Sequence, residues 1–187
     1  MAATALDPST ALIVIDLQKG VVSLPTAHPA GEVVARSARL AGAFRRRGLP
    51  VVLVNVAGVA PGRSEQGRPS PAFPDGFSEL VAELNRQPLD HLVTKRTWGA
   101  FTNTDLLDYL RREGVTQIVI AGIATSIGVE STARQAHEFG FHVTLATDAM
   151  TDLRPEAHDN SVRRIFPRLG ETATTDEIIA LLDAGRA

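Results

Sequence analysis

The 187-residue sequence contains no cysteine. Disulfides, thiolate metal sites and cysteine nucleophiles are therefore all excluded. An excess of charge of either sign is also missing. The formal net charge is −2 and the pI about 6.2, so nothing points to a nucleic-acid or membrane-surface partner. The basic run "RRR" at 45–47 falls late in a predicted helix, where it complements the helix dipole and reads as a solvated end. No apolar run reaches membrane-spanning length, and the start "MAATALDPST" lacks the charged-then-apolar pattern of a signal peptide. A cytoplasmic location is the expectation. Repeats and low-complexity tracts are absent as well.

What is present is ordinary soluble-protein material. Hydrophobic residues make up 44% and charged residues 21%, enough for one substantial core and hence one domain over 1–187. Short apolar, mostly β-branched runs recur: "ALIVID" (11–16), "VVLVNV" (51–56), "HLVT" (91–94), "TQIVIA" (116–121) and "HVTLAT" (142–147), with a weaker signal near "GETAT". Their apolarity is continuous rather than alternating, which indicates burial on both faces, as in a parallel sheet covered by helices. Helical patterns lie between them. "GEVVARSARLAGAFRRRG" puts Val33, Val34, Ala38, Leu40, Ala41 and Phe44 largely on one stripe, with Gly48 as a stop. "TNTDLLDYLRREG" opens on Thr102 and Asp105 in capping-box spacing, and "TTDEIIALLDAG" on Thr174 and Glu177; "ESTARQAHEFG" ends at Gly140. The alternation predicts an α/β fold: a doubly wound, mostly parallel sheet of about six strands with helices on both faces.

One segment breaks the rhythm. Residues 57–75, "AGVAPGRSEQGRPSPAFPD", are too long and too rich in Gly, Pro and Ser for an ordinary connector. They read as either a functional lid or a mobile loop. "SLPTAHPAG" (23–31) is a shorter irregular piece.

In an open parallel sheet, ligands bind beyond the carboxyl ends of the strands, where the strand order reverses. Asp16 ends the first strand as an acid after an apolar run, Lys95 ends "HLVT" in the same way, and Gly122 to Gly128 follow "TQIVIA". A carboxylate, an ammonium and a helix N-terminus could thus converge on one crevice. Taken singly, Asp16 reads better as the cap of a following turn and Lys95 as reaching solvent; together, at the same ends of the strands, they favour the functional reading.

"ALIVIDLQKG", "VTKRTWGAF" and "GIATSIGVESTARQAHEFGFHVTLATDAM", in that order, resemble the isochorismatase-like hydrolase superfamily, also called the cysteine hydrolases. The likeness spans roughly residues 10–175. It implies a parallel sheet sandwiched by helices, with Asp16 as the acid/base aspartate and Lys95 as the catalytic lysine. It implies that Gly128 stands where most members carry the nucleophilic cysteine. It also implies a cis peptide at Ile123–Ala124, an oxyanion hole from the N–H groups of Ala124 and Gly128, and a homo-oligomer, dimer or tetramer.

Glycine offers no nucleophile, so covalent amide hydrolysis at position 128 is impossible. Thr125 and Ser126 are nearby hydroxyls, but they read better as helix caps or partners of loop amides. True isochorismatases resemble this chain in having glycine at that position. Their vinyl ether hydrolysis needs only a general acid and water, and Asp16 would be that acid, kept protonated by an apolar pocket. Lys95 would orient the substrate carboxylate or the reacting oxygen. Trp98 and Phe101 are candidate walls for a ring substrate, or ordinary core or interface aromatics. Gln18 is a candidate substrate contact, or a hydrogen-bonding group within its own loop. The five histidines (28, 91, 137, 142, 158) show no metal-ligand spacing, and no Asp-x-His motif occurs around Asn55 and Ala57. No metal and no cofactor is expected.

Two readings follow. One is a small-molecule hydrolase without a covalent thiol intermediate; the other is a catalytically silent member of the same fold that binds a small molecule or serves in an assembly. Retention of both Asp16 and Lys95 favours the first.

Overall fold

The computed structural model describes residues 3–65 and 73–185. The centre of the predicted 57–75 loop lies outside the described residues. In chain order the elements are β1 (Thr10–Ile15), α1 (Lys19–Val22), α2 (Ala30–Arg46), β2 (Val51–Val56), β3 (His91–Lys95), α3 (Leu106–Arg112) and β4 (Gln117–Ile123). A π-type turn (Thr125–Val129) leads directly into α4 (Glu130–Glu138). Then follow β5 (His142–Thr151), α5 (Pro155–Asn160), a second π-type turn (Ser161–Ile165), α6 (Phe166–Leu169), β6 (Glu171–Ala173) and α7 (Thr175–Ala184).

The six strands form one sheet in the order β3-β2-β1-β4-β5-β6, and every neighbouring pair is parallel. β1 shows why its sequence reads as an unbroken apolar run. Ile13 and Ile15 face a core layer shared with Leu106 and Leu110 of α3, Ala133 and Ala136 of α4, and Phe166 of α6. Leu12 and Val14 face the opposite layer with Leu40 and Phe44 of α2 and Ile178 and Leu182 of α7. Side chains that alternate across a strand covered on both faces leave no polar position.

Several local expectations are corrected. The helix predicted from Thr102 begins at Leu106, with Asp105 at its N-cap position and no side-chain cap bond. The Thr102 hydroxyl accepts a bond from Gln135 Nε2, and the Asp105 carboxylate lies 3.1 Å from His91 Nε2. The box at Thr174 and Glu177 does form, with both reciprocal bonds present. The run at 45–47 is more than a solvated end. Arg45 grips buried Asp90 through two bonds of 3.0 and 2.7 Å, and Arg47 pairs with Asp183. β5 runs to Thr151, beyond its predicted end, across a register shift opposite Ile120 and Gly122. Helices α1, α5 and α6 carried no expectation. No helix among the described residues is long and apolar enough to cross a membrane.

Candidate active site

The strand order reverses between β1 and β4, and the candidate residues sit at that point. Ile15 pairs with Val54 of β2 and with Gly122 of β4, while Val56 pairs with Lys95. The chain therefore leaves the sheet at nearly one level on all four strands. Gly122 makes the close approach of β4 to β1 feasible. A Cβ there would stand 2.1 Å from the Ile15 carbonyl oxygen, and its φ of +124° suits glycine alone.

Asp16 turns off the end of β1 with φ +52°, in the left-handed region that Asp tolerates better than most residues. Its N–H donates to the Val54 carbonyl at 2.9 Å, which pins the turn to β2. The side chain is thereby aimed at Lys95. Lys95 Nζ donates to Asp16 Oδ2 at 2.7 Å and to the Thr97 carbonyl at 3.1 Å, and the lysine is only 2% exposed. Asp16 Oδ1 is buried with no hydrogen-bond partner among the described residues. Burial pushes the Asp16 carboxyl up to about 6, against the opposing pull of the adjacent ammonium. The site thus holds an acid whose midpoint lies about one unit below neutral pH, with one oxygen committed to Lys95 and the other buried without a hydrogen-bond partner among the described residues.

The third wall is the turn 125–129. The Ile123–Ala124 peptide preceding it is cis. The Ala124 carbonyl accepts bonds from the N–H groups of Ile127 and Val129, both at 3.1 Å, which closes the wide turn. Gly128 is where the turn passes the acid. A Cβ there would stand 3.2 Å from Asp16 Oδ2 and 2.9 Å from Ile15 Cγ2. Asp16, Lys95 and Gly128 therefore surround one point.

The other candidates fall elsewhere. Gln18 is fully buried and braces backbone: Oε1 accepts from the Val56 N–H at 2.7 Å, and Nε2 donates to the carbonyls of Val56 and Phe77. Its side chain is spent within the loop, as one of its two readings held. Phe101 packs into the core against Phe139 and Phe141, at ring centroids of 5.3 and 6.2 Å. It is a core aromatic, as one of its two readings held. Trp98 is 63% exposed on the loop just after Lys95. Thr125 does not cap the turn; its hydroxyl lies 2.8 Å from His158 Nδ1. The Ser126 amide is satisfied by the buried Asp152 carboxylate at 2.7 Å.

His158 and Asp152 carried no motif in the sequence. His158 is buried on α5, its ring meets His28 edge-on at 4.8 Å, and burial followed by the His28 charge pulls its pKa down. Pro155 at the first helical position was the one local sign of α5. Among the described residues, no group of three or more His, Asp or Glu side chains is arranged to hold a metal ion.

The isochorismatase domain model matches residues 10–177, which takes in all six strands and the whole site. The chain belongs to the isochorismatase family. A solved isochorismatase-family structure from Burkholderia thailandensis superposes with a TM-score of 0.91 at 44% identity, covering 96% of this chain and 98% of that one. The isochorismatase-family protein YwoC of Bacillus subtilis is 42% identical over 177 residues, 91% of this chain and 92% of its own. The isochorismatase of Bacillus subtilis is 29% identical over 184 residues, 92% of this chain and 58% of that protein. In this isochorismatase-family hydrolase, Asp16, Lys95 and the Gly128 turn meet at the end of the sheet where the strand order reverses.

Proposed function

We propose that this hydrolase cleaves a small enol ether of the isochorismate type, releasing pyruvate without a covalent intermediate. The observation that carries the reading is the face opposite Asp16. At the point 3.2 Å from Oδ2 where a side chain could begin, Gly128 presents only backbone. The acid and lysine are retained and paired, and the chain has no thiol anywhere. A site of that composition suits proton transfer followed by attack of water, and does not suit nucleophilic catalysis.

In this reading the Asp16 carboxyl protonates the terminal alkene carbon of the enolpyruvyl group, leaving an oxocarbenium ion. Water adds to that ion and surrenders a proton back to Asp16. The resulting hemiketal collapses to pyruvate and the alcohol. Lys95 holds the substrate carboxylate, and the N–H groups of Ala124 and Gly128 face the reacting oxygens. Likeness over nearly the whole chain to a protein named isochorismatase supports the substrate class.

Gly128→Cys tests whether the glycine is a working feature or the remnant of an amidase. The new Cβ would crowd Ile15 Cγ2 at 2.9 Å inside a packed core, so a stability loss of about 1–3 kcal/mol is expected. Pyruvate release should fall at least about tenfold, as general acid catalysis is worth about 10²–10⁴-fold and its geometry is disturbed. Release of ammonia from amides by the variant, with enol ether activity unchanged, would count against the proposal.

The same reading includes an oligomer. Trp98, 63% exposed beside the Lys95 loop, and Leu92, 37% exposed on edge strand β3, are large apolar groups left uncovered on one chain. Light scattering should give a dimer or tetramer. A mass of 19.9 kDa at every concentration would contradict it.

A further inference from the structure

Gly128, Thr132 and Gln135 lie on one stripe of the helical segment, four and then three residues apart. That stripe faces the loop that follows Lys95. The Thr132 hydroxyl is fully buried and uses both of its capacities. It donates to the Gly128 carbonyl at 2.7 Å and accepts from the Ala100 N–H at 3.1 Å. Gln135 extends the contact one turn further on, accepting from the Phe101 N–H at 3.3 Å and donating to the Thr102 hydroxyl at 2.7 Å. Gly99 lets the loop come this close, since a Cβ there would stand 2.1 Å from Gln135 Oε1. The same loop supplies the Thr97 carbonyl that holds Lys95 Nζ.

We infer that Thr132 is a positioning residue for the proposed hydrolase: one hydroxyl ties the Lys95 loop to the Gly128 turn and so fixes how Lys95 meets Asp16. The argument is geometric. Lys95 is anchored at two points, Asp16 and Thr97, and the Thr97 anchor belongs to a loop whose amides at 100 and 101 are held by the helix. A hydroxyl that bonds only the preceding turn is common on helices. One that also accepts a bond from a loop 32 residues away fixes a distance between two parts of the site. Gln135 serves the same end from the rim. Both assignments rest on the reading of Asp16 and Lys95 as the reacting pair.

Thr132→Val keeps the shape and removes the hydroxyl, while Thr132→Ser keeps the hydroxyl. Gln135→Met supplies a second, less buried variant should the valine protein fail to fold. The first readout is the Asp16 titration, followed by carbon NMR of labelled aspartate and independent of any substrate. The Lys95 ammonium holds the Asp16 carboxyl down against burial, so a loosened loop should move its midpoint upward by about half a unit or more. The second readout is kcat for pyruvate release, expected to fall about tenfold in Thr132→Val with KM changed less than about threefold. Thr132→Ser should restore both, and Gln135→Met should show a smaller change of the same sign. An Asp16 midpoint unmoved in both Thr132→Val and Gln135→Met overturns the inference, as does a serine variant as impaired as the valine one. A moved midpoint in a protein whose wild type releases no pyruvate supports the positioning role and removes the proposed substrate instead.

Discussion

Asp16→Asn should lower pyruvate release by about 10²–10⁴-fold, because an amide has no proton to give the alkene carbon. The change is nearly isosteric, and the Asn carbonyl can still accept the Lys95 bond now made by Oδ2 at 2.7 Å, so circular dichroism should be unaltered. The pH profile gives the prediction its sign. A general acid works in its protonated form, and the Asp16 carboxyl is pushed up to about 6. kcat/KM of the wild type should therefore be level below about pH 6 and fall about tenfold per unit above it. A limb that rises through the same range would make Asp16 a base. Wild-type rates in Asp16→Asn would remove it from the mechanism.

Lys95→Met should produce the largest loss of stability at neutral pH. The lysine is 2% exposed, and its removal leaves the Asp16 carboxylate buried without the one charged partner it has among the described residues. Breaking a buried pair in this way typically costs about 3–5 kcal/mol. The cost should depend on pH in a defined direction. The folded Asp16 titrates at about 6 against an ordinary value of 3.8, so the folded state binds the proton more tightly than the unfolded one. Its contribution to wild-type stability is greatest below pH 4, declines by about 3 kcal/mol as pH rises to about 6, and is level above. Without Lys95 the midpoint moves higher still. The difference between variant and wild type should thus be large at pH 7.5 and small or reversed at pH 5, where the carboxyl takes a proton and Lys95 becomes the unpaired charge. Denaturant unfolding at the two pH values measures it. Equal losses at both would mean that Lys95 supports the fold by packing alone.

The sheet was legible because strands covered on both faces leave a simple trace, a short unbroken β-branched run, as Leu12 to Ile15 show. Asp16 and Lys95 were legible for the related reason that a charge directly after such a run must sit at the strand's end. What was not legible depended on partners distant in sequence. Thr102 and Asp105 have capping-box spacing, but Gln135 takes the Thr102 hydroxyl and the helix starts after Asp105. Phe101, near a catalytic lysine in sequence, turns instead to Phe139 and Phe141. His158 and Thr132 make contacts across 33 and 32 residues, to Thr125 and to the Ala100 N–H respectively, which no local pattern records.

The central claim is that the acid, the lysine and the empty turn perform hydrolysis without a nucleophile. Its most direct test is to supply purified wild-type protein with isochorismate, and with a panel of small amides in parallel, and to measure pyruvate and ammonia. The account predicts pyruvate well above the uncatalysed background, lost in Asp16→Asn, and no ammonia from any amide. Ammonia release by the cysteine-free wild type, with no pyruvate formed, would contradict it.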